Sequence, residues 1–230
     1  MEIFFKIKAW LSYELKAHYR RGHHIHSPYT YRLVSNVLFE KWPYYSFQRI
    51  EELRKKLLAE NEENPSDRSK YTQLLQRLCA TNNSKTIMEI GRSNGISTMY
   101  LASNNTQSTV YSISNNKNTD VFKHCNFLNV QQRKESELQK VLDEIKCLDM
   151  LYVRRSCGII DIDSIFDLCK TKAQDESIFI FDNIHSDRQT EQRWNNILKS
   201  NNVTLSIDLF WIGLIWFKKD MKRQHYIIKY

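Results

Sequence analysis

Apolar residues recur along the chain with two different periods, and the change from one to the other divides it. Ile3, Ile7, Trp10, Leu11 and Leu15 keep helical spacing, while Lys6, Lys8, Lys16 and Arg20 decorate the other faces. This predicts an amphipathic basic helix whose stripe needs a partner: its own domain, a second subunit of a homo-oligomer, or a membrane surface touched peripherally. Ser27 before Pro28 predicts a helix start, because the hydroxyl can accept from an orphan N–H and proline lacks a donor where none is needed. That helix is expected over Pro28 to Phe39, interrupted at Trp42-Pro43 and followed by another over Ser46 to Glu60, with Phe47, Ile50, Leu53, Leu57 and Leu58 in register. The polar run Glu60 to Ser69 reads as an exposed linker, and Tyr71 to Ala80 as one more helix.

Past residue 80, short β-type runs alternate with helical windows. Strands are expected at Lys85 to Ile90, Thr109 to Ser114, near Val130, Leu148 to Val153, Ser177 to Asp182, Val203 to Phe210 and Ile212 to Phe217. Helices are expected at Ile96 to Ser103, Asn118 to Cys125, Ser136 to Lys146, Asp161 to Ala173 and Arg188 to Lys199. Such alternation implies an α/β fold of parallel strands with right-handed crossovers. Only Trp211 separates the last two strands, which forces an antiparallel turn at the end of the sheet. The chain divides into a helical extension, residues 1–80, and an α/β domain, residues 81–230.

Composition narrows the classes without choosing among them. With 41% hydrophobic residues over 230, the chain can bury a real core and is not a disordered protein. The net charge of +8 is concentrated at the front, yet no dense Lys/Arg block marks a nucleic-acid tail. No run reaches the ~18 apolar residues of a membrane span. Cys79, Cys125, Cys147, Cys157 and Cys169 are scattered without a C-x-x-C pair, as expected of reduced thiols in a cytoplasmic protein.

Ligands of open α/β sheets sit beyond the carboxyl ends of the strands, so residues just after each strand are the candidates. Gly91 and Gly95 bracket the turn after the first strand, where small residues let backbone N–H groups approach a ligand; the same turn also serves as a plain strand-to-helix connection. Asp182, Asn183 and His185 close the fifth strand, where they suit metal binding, substrate orientation or base catalysis, or else a turn cap at Asp182 and a surface His185. His23, His24 and His26 form a dense cluster, but adjacent histidines do not easily face one ion and no cysteine lies near. Their expected role is structural, with His26 placed to cover a pocket.

The segments RGHHIHSPYTYRLV, EIGRSNGIS, FDNIHSD and TLSIDLFWIGLIWF together resemble bacterial class I S-adenosylmethionine-dependent methyltransferases of the O-methyltransferase-like, Bacteroidetes type. The resemblance covers nearly the whole chain. It implies a doubly wound, seven-stranded, mostly parallel Rossmann-like sheet whose last strand is antiparallel, with an N-terminal helical extension. It implies that Glu89, Gly91, Arg92, Ser93 and Gly95, with Ile96 and Ser97 opening the helix, hold the methionine part of S-adenosylmethionine. The usual ribose-binding acid is replaced by Ser114 and Asn115, which bond a hydroxyl more weakly than a carboxylate does.

Metal-dependent relatives place an acid after the fourth strand, where this chain has Arg154 and Arg155, with Cys157 at a usual histidine position and Ser186 at a usual tryptophan. A guanidinium repels a divalent cation, so no metal is expected. Arg154 is expected to pair with Asp182 instead. His185, beside Asp182, is the remaining base candidate. The reading is a metal-independent methyltransferase with a small-molecule acceptor; the alternative is a degenerate binding or interaction module on the same frame.

Overall fold

The computed structural model describes residues 2–18, 22–42, 44–58, 68–92, 95–115, 127–154 and 161–230. The helix expected at Asn118 to Cys125 and most of the expected linker lie outside these residues, as do Ser93, Arg155 and Cys157.

Four helices precede the sheet: α1 (Glu2–Lys16), α2 (Pro28–Leu33), α3 (Tyr45–Leu58) and α4 (Ser69–Thr81). Ser27 caps α2 as its hydroxyl accepts from the Thr30 amide at 3.3 Å, and the helix continues into a π turn over Val34–Leu38. Then follow β1 (Thr86–Ile90), α5 (Ile96–Ala102), β2 (Thr109–Ile113), β3 (Val130–Arg133), α6 (Leu138–Glu144), β4 (Leu148–Val153), α7 (Ile162–Cys169), β5 (Ala173–Asp182), α8 (Arg188–Lys199), β6 (Leu205–Asp208), β7 (Ile212–Trp216) and β8 (Gln224–Ile227).

The strands form one sheet in the order β3-β2-β1-β4-β5-β7-β6-β8. All neighbours are parallel except β7, which runs antiparallel to both β5 and β6. The pattern along the sequence anticipates seven strands with an antiparallel turn at the sheet's end. The sheet has eight, its antiparallel strand is internal, and β8 extends the edge parallel to β6. β8 reads poorly because its residues QHYI are only partly buried or exposed, as suits an edge strand.

Period-2 alternation sends the strand side chains to two cores. Ile87, Met150, Tyr152, Ile178 and Ile180 join Leu33, Val34, Leu74, Leu75 and Leu78 of α2, the π turn and α4 on one face. Met88, Leu151, Val153, Phe179 and Phe181 join side chains of α6, α7 and α8, including Val141, Phe166 and Trp194, on the other. Helices therefore cover both faces, which is why the central strands read as nearly continuous apolar runs. The sheet is doubly wound, and its order reverses between β1 and β4.

His23, His24 and His26 are all exposed, while Ile25 between them is buried in the first core.

Gly213 on β7 is a close-packing position. A Cβ there would lie 2.5 Å from the buried Trp194 indole, which crosses the strand at this point. Gly213→Ala is expected to lower unfolding free energy by about 1–3 kcal/mol, as overpacking does. Urea denaturation followed by circular dichroism measures it, and an unchanged midpoint would show that the indole has room to move.

Candidate functional site

The carboxyl ends of β1 and β4 meet at the switch point, the place where open α/β sheets bind ligands. β1 delivers Glu89 and the turn that begins at Gly91; β4 delivers Arg154 beside it, with the Arg154 amide bonded to the Ile90 carbonyl at 2.9 Å. Gly91 (φ 115°) and Gly95 (φ 85°) both adopt left-handed backbone conformations, Gly95 as the N-cap of α5. Side chains rarely tolerate such angles, which explains both glycines.

Beneath this turn lies a buried polar network. Glu89 is fully buried, and its carboxylate accepts hydrogen bonds from the hydroxyls of Ser97 and Thr98 on the first turn of α5. Arg154, 3% exposed, donates from Nη1 to Ser97 Oγ at 2.9 Å and lies 4.0 Å from Glu89 Oε1. Its guanidinium also sits over the Tyr152 ring, 5.9 Å from the centroid. An isolated carboxylate is costly to bury, and here hydrogen bonds together with an opposite charge offset the lost hydration. The network ties β1, β4 and α5 together directly under the turn.

Several residues singled out from the sequence are thus brought together: Glu89, Gly91, Gly95, Ile96 and Ser97 form one corner, with Arg92 exposed at its edge. Arg154 is ion-paired with Glu89.

Ser114 and Asn115 follow β2 on the same rim. Asn115 Nδ2 donates to Glu135 Oε2 at 2.8 Å. Glu135 follows β3, so a carboxylate comes back to this rim from a neighbouring strand. The sequence gives little sign of it, because the β3 residues VQQR are weakly apolar and only the parallel β2–β3 pairing places Glu135 there.

Asp182 and Asn183, both buried, end β5 on this rim, and Asn183 takes a left-handed turn (φ 54°), which asparagine tolerates better than most residues. His185 follows, half-way to α8. Its Nδ1 lies 2.9 Å from Glu191 Oε1 and its Nε2 2.7 Å from Asp208 Oδ2, and its ring stacks on Phe210. Burial alone would lower its pKa, but the hydrogen bonds to Asp208 and Glu191 outweigh burial and push it up to about 9.

Both ring nitrogens of His185 thus lie within hydrogen-bond distance of carboxylates, and the side chain joins the loop after β5 to α8 and β6. Asp208, the other half of that clamp, also accepts from the Phe210 amide at 2.7 Å and holds Phe210 in its left-handed turn (φ 68°).

No protein-family model matches the chain, and no curated protein matches it in sequence. Solved structures do match. A caffeoyl-CoA O-methyltransferase candidate from Staphylococcus aureus superposes with a TM-score of 0.61 at 20% identity, covering 73% of this chain and 91% of that one. The Streptomyces achromogenes O-methyltransferase TomG, involved in tomaymycin synthesis and solved with S-adenosylmethionine, gives 0.59 at 14% identity, covering 78% and 92%. An O-methyltransferase from Bacillus cereus, solved with S-adenosylhomocysteine, gives 0.54 at 15%, covering 80% and 96%. This is the methyltransferase fold. These structural neighbours are class I O-methyltransferases, so the Rossmann-like sheet expected from the sequence resemblance is the one observed.

The clamp makes stability depend on pH with a defined sign. A histidine raised from 6.5 to about 9 binds its proton more tightly when folded. Its contribution is full below the unfolded pKa and is lost as pH rises through about 9. Thermal melts of wild type and His185→Gln between these limits should converge as pH rises. A constant gap between the two proteins would show that protonated His185 is not what holds the clamp.

Proposed function

We propose that the chain is an S-adenosylmethionine-dependent methyltransferase acting on a small-molecule acceptor without a metal ion. The observation that carries this reading is the glycine-bracketed turn at the switch point of a methyltransferase-fold sheet. At Gly91 and Gly95 no side chain stands over the backbone, so that backbone N–H groups there can meet the methionine end of the cofactor. Asn115 and Glu135 supply amide and carboxylate groups on the same rim, a donor and acceptor set that suits a ribose diol. The residues present thus fit the cofactor in chemical type.

In this reading Ser97 does not hold the ligand with its hydroxyl, which is turned inward between Glu89 and Arg154. Glu89, Ser97, Thr98 and Arg154 support the turn from beneath. The bound cofactor supplies an electrophilic methyl group on a sulfonium. The protein's share is alignment of the acceptor, which by itself accounts for much of the acceleration of an in-line displacement.

Asp182, buried at the end of β5, is the group assigned to orient the acceptor, and His185 is a positioning residue that fixes the loop carrying it. The absence of metal chemistry is inferred from Arg154, whose fixed positive charge stands where metal-dependent relatives carry an acid. Cys79 and Cys169 are buried and their thiols pushed up to about 12, consistent with inert structural cysteines in a reducing cytoplasm.

A second reading, a binding module that has lost transfer, is favoured by the double engagement of His185. Titration calorimetry with S-adenosylmethionine and S-adenosylhomocysteine separates both readings from a protein that has lost the cofactor. The expected result is measurable binding that weakens at least about tenfold in Gly91→Asp, where a side chain enters the turn. Gly213→Ala, remote from the turn, controls for general destabilisation. No heat at millimolar ligand would overturn the proposal; binding without transfer from methyl-labelled cofactor would leave the module.

A further inference from the structure

The amphipathic helix α1 uses one face and leaves another bare. Ala9 and Tyr13 are buried against Phe210, with Phe5, Ala17, Trp211 and Ile227 around them, and the Tyr13 hydroxyl donates to the Ile228 carbonyl. The outward side carries Phe4, Ile7, Trp10, Leu11 and Leu15, which are 81%, 52%, 48%, 50% and 75% exposed. Phe4, Ile7, Leu11 and Leu15 follow one another at three- and four-residue steps, so they line up as one continuous stripe, roughly 16 Å long at the helical rise. Large apolar side chains exposed singly need no explanation; five on one side of one helix do.

The charges around the stripe indicate what covers it. Lys8 adjoins Phe4 and Leu11 along one edge, Lys6 adjoins Trp10 along the other, and Lys16 stands at its end. Glu14, which adjoins Trp10 and Leu11 and would oppose an anionic partner, is ion-paired with Lys229 from the end of the chain. The result is an apolar stripe with lysines on both margins and its neighbouring carboxylate neutralised.

We propose that this face docks the protein on an anionic lipid surface. The stripe lies at the acyl boundary while the lysine stems reach along it to place their ammonium groups among lipid phosphates. A second copy of the chain suits the face less well. Protein interfaces are depleted of lysine, which here borders the stripe. No helix of the described residues is long and apolar enough to cross a membrane, so the contact is peripheral. The proposal stands on α1 alone and does not depend on the cofactor.

Co-sedimentation of the full chain with vesicles tests it, comparing phosphatidylcholine alone with phosphatidylcholine mixed with phosphatidylglycerol. Binding about tenfold tighter to the anionic vesicles is expected, as a few juxtaposed lysines supply. Leu11→Glu and Lys8→Glu should each remove most of that binding and leave the melting temperature unchanged, because both positions lie away from the docked face. Equal or absent association with the two vesicle types would overturn the proposal, as would anionic binding that neither variant alters. A wild-type dimer that Leu11→Glu converts to monomer would assign the stripe to a second copy and overturn it as well.

Discussion

A carboxylate buried to full exclusion from water is the constraint around which the rim of this sheet is arranged. Glu89 is the penultimate residue of β1 in the middle of the sheet, where neither face offers solvent. Only hydrogen bonds and an opposite charge make such a group tolerable. Ser97 and Thr98 provide the first from α5, and Arg154 provides the second from β4. Because these partners come from α5, which follows the Gly91 turn, and from β4, which pairs with β1 beside it, satisfying the charge also fixes the shape of the turn. The left-handed glycine conformations are thus held from below by these side chains.

A second clamp of the same kind lies further along the rim. His185 bridges Glu191 of α8 and Asp208 of β6, and Asp208 in turn holds the Phe210 backbone. Phe210 then stacks on His185 and receives Tyr13 of α1. The chain of contacts runs from the loop carrying Asp182 to the docked face of the N-terminal helix. α1 is therefore seated on the same rim that carries the cradle, although at its other end.

The central strands were legible because burial on both faces leaves unbroken apolar runs, as in TIMEI and LDMLYV. β8 was not, since Gln224 and His225 interrupt its pattern where one edge lies open. The two glycines of the turn could be read from sequence because few other residues accept their backbone angles. The partners of Arg154 and His185 could not. Glu89 lies 65 positions from Arg154, and only the adjacency of β1 and β4 brings the two together. Asp208 meets His185 because α8 carries the chain back so that β6 ends on the same rim as β5, both antiparallel to the β7 strand between them. Charge pairing across strands is a property of strand order, which periodicity does not carry.

The support of the turn by the Glu89–Arg154 network is tested most directly by a double-mutant cycle of Glu89→Gln and Arg154→Met, read as unfolding free energy in urea. Each single change leaves a buried group without its counterpart, so the account predicts that the double variant is more stable than the sum of the single losses, with a coupling of about 1–3 kcal/mol. Strictly additive losses would contradict it, for they would mean that the two groups share a location and no interaction.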